Sequence, residues 1–296
     1  MYGLLEEKCK PLIGVVHLPP LPGSYGYNRV PYPPLHGRRW SFEEILDFAV
    51  EEARRYEEAG FDGVIIENYG DRPYTIRVGT GQTAAMSRIV AEVKKSVSIP
   101  VGVNMLRNSA YEAVYVAYIS GAEMVRVNSI CEHRLAPEGS LEPAVHEIAR
   151  AVSELDIYDT LAKGKLLILG DVDVKHSYPL ASRYEADQIV EDCLTRAGFP
   201  IHGIIVSGAS TGEEPEIAYV EELAGPARKY GAKVIVGSGI STENIANYWR
   251  LADAFIVGTS VKLGGVTENR VSLEKARSLV RIAEQYRKTW PCHHGR

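Results

Sequence analysis

The 296-residue chain is predicted to be an α/β protein, a (β/α)8 TIM barrel in a single domain covering residues 1–296. Three observations carry this expectation. Short β-branched apolar runs alternate eight times with longer stretches of helical period, which is how parallel strands joined by crossover helices read. Helical stretches tend to end in a glycine just ahead of the next run, as in AGFDG, SGAEM, AKGKL and YGAKV, giving short turns at one end of the barrel. The segments that follow the runs are long, polar and rich in special residues, so function is expected at the C-terminal ends of the strands.

The elements follow in order. The first strand, 12–16, leads into a long loop at about 18–40 with six prolines and four tyrosines or tryptophans. Prolines stiffen a loop and aromatics cover ligands, so a lid is expected; a stiffened surface loop or a dimer contact is the plainer alternative. The first crossover helix ends at Gly60, with Ser41 as N-cap and Glu44 closing a capping box. Further strands are expected at 63–67, 100–104, 123–128, 165–171, 203–207, 233–237 and 254–258. Helices are expected at 82–97, 109–120, 140–159, 184–197, 215–230, 241–250 and 272–288. The tail at about 289–296 carries no structural signal.

Composition bounds the partners. With 45% apolar and 24% charged residues the chain can bury a large core, and a net charge of -5 without a basic run argues against nucleic acid. No apolar stretch approaches the roughly 20 residues that cross a bilayer, and the N-terminus lacks a secretory pattern. Cys9, Cys131, Cys193 and Cys292 form no CxxC pair, which signals neither a zinc ribbon nor a disulfide scaffold and favours a reducing cytoplasm. A cytoplasmic homo-oligomer is expected, with peripheral membrane attachment unsignalled but left open.

Charged side chains at strand ends need a reason, because a barrel interior favours branched apolar residues. His17, Glu67, Asn68, Asn104, Arg126, Asn128, Ser207 and Thr211 all fall there, although His17 or Asn104 alone reads equally well as a satisfied rim polar group. On the fifth strand Leu167, Leu169, Asp171, Asp173 and Lys175 alternate, which predicts one column climbing from core to mouth, with His176 just beyond. Asp171, Asp173 and Lys175, with Glu67 across the mouth, are the expected catalytic groups; a salt-bridged structural cluster is the alternative. The two acids should keep Lys175 protonated, an electrostatic group and not a Schiff-base nucleophile.

The seventh and eighth strands run into Gly237-Ser238-Gly239 and Gly258-Thr259-Ser260. In a barrel these turns are neighbours, and their glycines let backbone N–H groups approach an anion, so a phosphate site is expected. Lys262 either adds a charge there or is solvated. No cofactor is required. A divalent metal on His17, Glu67, Asp171, Asp173 and His176 stays open, since no HxH, HExxH or paired-Cys spacing fixes one.

Eight ordered blocks, among them HLPPLPG from His17, DGVIIEN from Asp62, MLRN from Met105, DVDVKH from Asp171 and GSGIST from Gly237, resemble the BtpA family. That family is named after a photosystem I biogenesis protein and also contains the sugar-operon protein SgcQ. The resemblance implies a barrel of the ribulose-phosphate-binding type but no settled common reaction. The DxDxKH pattern departs from the DxKxxD of orotidine-phosphate decarboxylases, and the histidines and aspartates of metal-dependent ribulose-phosphate 3-epimerases are missing; both reactions are disfavoured. Two functions stay in view. One is an enzyme on a small phosphorylated, sugar-phosphate-like or nucleotide-like metabolite; the other is a non-catalytic assembly factor for a membrane complex. The polar rim favours the enzyme.

Overall fold

The β-branched runs become the eight parallel staves of a closed barrel. In the computed structural model the described residues are 3–27, 29, 40–180, 186–208 and 212–290. The staves are β1 (Leu12–His17), β2 (Gly63–Glu67), β3 (Val101–Asn104), β4 (Met124–Val127), β7 (Leu167–Val172), β9 (Gly203–Val206), β10 (Lys233–Val236) and β11 (Ala254–Val257), with β11 pairing back onto β1. Every stave lies within one or two residues of its expected position.

The helices are α1 (Leu4–Glu7), α2 (Phe42–Ala59), α3 (Thr80–Ser96), α4 (Ala110–Ser120), α5 (Val145–Leu155), α6 (Tyr158–Ala162), α7 (Ala186–Arg196), α8 (Ile217–Lys229), α9 (Ile245–Tyr248) and α10 (Leu273–Thr289). In α2 the capping box of Ser41 and Glu44 forms as expected, and Gly60 ends the helix in the left-handed region. Its buried stripe, Ile45, Phe48, Ala49, Glu52, Ala53 and Tyr56, keeps the helical period and faces the barrel. The Tyr56 ring lies on the backbone of β1, where a Cβ at Gly14 would come within 2.3 Å of it, and its hydroxyl donates to the Val15 carbonyl at 3.0 Å.

The expected helix at 140–159 is a correction. A small antiparallel sheet of β5 (Arg134–Ala136), β6 (Gly139–Leu141) and β8 (Tyr178–Pro179) occupies part of that stretch, and two shorter helices, α5 and α6, follow. Gly139 at φ 131 turns the β5–β6 hairpin, and Pro143 keeps the helix from starting earlier. The expected lid at 18–40 lies largely outside the described residues, as does the tail from 291.

The two-residue strand period fills the barrel in layers. Ile13, Val15, Ile65, Met124, Leu167, Leu169, Ile205, Ile235 and Ile256 form a dry interior, and Leu5 of α1 plugs its lower end. Continuing the same columns upward gives His17, Glu67, Arg126 and Asp171, all buried. The polar mouth therefore rests on an apolar stack.

Three ties hold the ring together. Glu52 of α2 is buried beside Lys262, its Oε2 3.2 Å from Nζ and 2.8 Å from the Val271 N–H. Lys262 is thus a structural cation between α2 and the segment after β11, not a charge for the anion site. Arg287 of α10 donates to the Cys9 and Lys10 carbonyls at 2.8 and 2.9 Å. Cys131, after β4, is disulfide-bonded to Cys193 of α7, with 5.6 Å between Cα atoms, and none of the described cysteines is free. This overturns the expectation of unpaired cysteines, because the partners are brought together across the barrel wall and leave no spacing signal. Among the described residues no helix is long and apolar enough to cross a membrane.

Candidate active site at the barrel mouth

Asp171 is the best-held group at the mouth. Arg126 donates to it through Nε and a terminal nitrogen, both at 2.9 Å, Asn128 adds a bond at 3.0 Å, and Ser207 approaches at 3.4 Å. A bidentate arginine on a fully buried carboxylate is a rigid, directional pair. Burial would lower the Arg126 pKa, but Asp171 and Glu67 outweigh it and raise it. Asp171 lines neither mouth cavity, so it aims Arg126 and is itself sealed behind it.

Two cavities adjoin above this layer, of about 370 and 270 Å³, and they share the wall of His17, Glu67, Arg126 and Lys175. Glu67 lies 3.9 Å from His17 Nε2 and 4.0 Å from Arg126. Burial, together with the charges of Lys262, Lys175 and Arg126, pushes the His17 pKa well down, so its imidazole is neutral. Lys175 makes no side-chain ion pair with a described residue. Burial and the nearby Arg126 lower its pKa to about 8 against the pull of Glu67 and Asp171. Lys175 therefore stays mostly protonated near neutral pH but loses its proton more readily than expected, because one acid is consumed by Arg126 and the other points away.

That other acid is Asp173. β7 ends at Val172, and Asp173 adopts φ 56 with its N–H donating to Glu132 at 2.6 Å. This left-handed residue breaks the strand period, so Asp173 leaves the expected column, pairs with Arg134 and lines neither cavity. Glu132, buried beneath it, has its pKa raised to about 7 by desolvation despite Arg134. His176, also at positive φ, returns to the mouth and lines the larger cavity, its pKa lowered by burial and by Lys175 and Arg107.

The smaller cavity is lined by Gly237, Ser238, Gly239, Gly258, Thr259 and Ser260, the six residues expected to hold phosphate. Their hydroxyls are spent inside the protein: Ser238 donates to the Glu213 carbonyl, Ser260 to that of Ile240, and Thr259 pairs with Thr267. The N–H groups of Ser238, Gly239, Thr259 and Ser260 donate to no acceptor among the described residues. Gly239 sits at φ 70 with Glu213 and Glu214 packed where a Cβ would go. Only glycine fits that turn.

Other expected residues fall elsewhere. Asn68 clasps two loops, bonding Asp71 and the Leu106 backbone, and Asn104 donates to the Arg126 carbonyl; neither lines either of the two mouth cavities. Asn128 lines the larger one and Ser207 lines neither. Thr211 lies outside the described residues. Among the described residues no three His, Cys, Asp or Glu side chains converge as a metal-ligand set, since Arg126 engages Asp171 and Arg134 engages Asp173.

The larger cavity also contains groups that strand periodicity could not find: Tyr69, Arg72, Tyr74, Arg107 and Glu138. All come from loops after β2, β3 and β4. The MLRN block around Arg107 was the one available signal.

A closed barrel with a polar mouth above an apolar stack, and paired glycine turns after its last two staves, defines the TIM-barrel class. Solved barrels agree: the N-(5'-phosphoribosyl)anthranilate isomerase of Pyrococcus furiosus superposes with TM-score 0.51 at 12% identity, covering 93% of this chain and 99% of that one. KGPDC of Streptococcus mutans gives 0.53 at 14% identity, covering 94% and 99%. Within that class the chain belongs to the BtpA family, whose model matches residues 8–285. An uncharacterised Pyrococcus horikoshii protein is 38% identical over 96% of this chain and 99% of its own length. The photosystem I biogenesis protein BtpA of Synechocystis is 35% identical over 86% of this chain and 81% of its own length.

Proposed function

We propose that the barrel is an enzyme that binds a small phosphorylated metabolite, sugar-phosphate-like or nucleotide-like, and performs acid/base chemistry at its mouth. The observation that carries this reading is the shared wall, which sets Glu67 and Lys175 directly beside a chamber whose backbone N–H groups donate to no acceptor among the described residues. Phosphate on the turns after β10 and β11 leaves the rest of the ligand against that wall. Glu67 then serves as the proton acceptor. Lys175, with a pKa of about 8, exchanges a proton near neutral pH, and Arg126, fixed by Asp171, stabilises developing negative charge. The ligand chemistry named for the phosphoribosyl-anthranilate isomerase neighbour is compatible with this reading.

The Synechocystis relative's name favours an assembly role, yet a scaffold has no use for a buried lysine and carboxylate set beside paired glycine turns. The homo-oligomer expectation belongs to this proposal as well, and sedimentation equilibrium decides it.

Calorimetry tests the anion site. Inorganic phosphate and ribose 5-phosphate should bind the wild type, and Gly239→Val or Gly258→Val should weaken both by about tenfold or more. Unchanged affinity in both folded variants removes the phosphate reading.

A further inference from the structure

Arg107 and Glu138 line the chamber of about 370 Å³ and face each other as an ion pair, each keeping one polar atom without a hydrogen bond among the described residues. Arg107 is 4% exposed and gives one terminal nitrogen to the Lys175 carbonyl at 3.1 Å, while its Nε has no hydrogen-bond partner. Glu138 Oε2 stands 3.7 Å from that Nε, too far for a hydrogen bond, and is also buried without a hydrogen-bond partner. Buried polar atoms left unmade are costly, so a ligand that completes both gains affinity and selectivity together.

The pair restricts what that ligand can be. A carboxylate or second phosphate would suit Arg107 but meet the like charge of Glu138. Among the described lining residues no surplus cation offsets this: Arg72 is engaged by Glu268 at 2.6 Å and Arg126 by Asp171, which leaves Arg107 and Lys175 against Glu67 and Glu138. A neutral group with an acceptor next to a donor satisfies both atoms. The walls add a shape. Tyr69 carries the Arg72 guanidinium 4.7 Å over its ring and meets His17 edge-on, and the Tyr74 hydroxyl donates to the Tyr69 carbonyl at 2.7 Å. Flat, fixed rings of this kind favour a planar ligand.

We propose that Arg107 and Glu138 read the amide or amidine edge of a nucleobase-like heterocycle, so that the substrate class is a nucleoside monophosphate or a related phosphorylated N-riboside. This rests on the phosphate reading of the adjoining turns. The probes are inorganic phosphate, ribose 5-phosphate, glucose 6-phosphate, the 5'-monophosphates of uridine, inosine, adenosine and cytidine, and the four free nucleosides, measured by calorimetry.

The wild type should bind at least one monophosphate about tenfold or more tighter than ribose 5-phosphate. Glu138→Gln should erase that margin while ribose 5-phosphate affinity stays within about twofold. The double variant Arg107→Met, Glu138→Met removes both charges together, which avoids a lone buried ion, and should behave likewise. Equal binding of ribose 5-phosphate and all four nucleotides overturns the proposal, as does glucose 6-phosphate binding as tightly as the best nucleotide. A margin that survives both variants overturns it too. If the phosphate reading alone is wrong, the nucleosides still bind in a Glu138-dependent way and inorganic phosphate does not; if no nucleoside or nucleotide binds, the chamber assignment falls.

Discussion

Lys175 stands two residues beyond a left-handed Asp173, and that one backbone conformation decides which side chains reach the mouth. Were the strand period intact, Asp173 would continue the column of Leu169 and Asp171 into the mouth. Instead it faces Arg134, with its side chain about half exposed. Asp173→Asn should therefore leave turnover within a few-fold, whereas Lys175→Met or Glu67→Gln should cost about 10²–10⁴ in rate once a substrate is in hand. Reductive methylation followed by carbon-13 NMR checks the lysine without a substrate: one dimethyl-lysine signal, absent from Lys175→Arg, should titrate near pH 8. Glu132 gives a second test. Its pKa is raised to about 7, so its contribution to stability is complete below pH 4.5 and is lost as pH climbs through 7. Glu132→Gln should match the wild type at pH 5 and melt higher at pH 8, by an amount on the order of 1–3 kcal/mol. His17, Glu67 and Arg126 were legible because each ends an unbroken strand column; Arg107 and Glu138 were not, because their loops have no period to read.

Between elements, two cross-links join pieces distant in sequence. Glu52→Ala strands Lys262 in the core and frees the Val271 N–H, so it should cost about 3–5 kcal/mol in chemical denaturation. Replacing both partners, Glu52→Leu with Lys262→Met, should recover much of that loss. The Cys131–Cys193 bridge spans 62 residues, and its loop-entropy contribution is at most roughly 4 kcal/mol. Cys193→Ser should lower the denaturation midpoint accordingly; an unchanged midpoint means the reduced chain holds the same loop by packing. Neither link was visible in sequence. The lysine read as a surface or anion-site charge and the cysteines read as isolated, since burial and pairing arise only when the ring closes. The compartment argument drawn from unpaired cysteines loses its footing with the bridge.

At the scale of the molecule, the alternation of apolar runs and helical stretches made the barrel readable to within a residue or two per strand. The β5–β6–β8 sheet stayed hidden, because its strands of two or three residues are too short to show alternation. Closure itself has a kinetic side. β1 pairs with β11, so the first stave has a free edge until nearly the whole chain is present, and Arg287 of the last helix then bonds the segment leading into that stave. Contacts between opposite ends of the chain are slow to form and easily lost. In hydrogen exchange, Arg287→Ala should accelerate the amides of β1 and β11 well ahead of those in β3 and β4, opening the ring at its seam. The seam runs beside Gly258 and His17, so the same local opening would carry the turn after β11 away from the wall it faces.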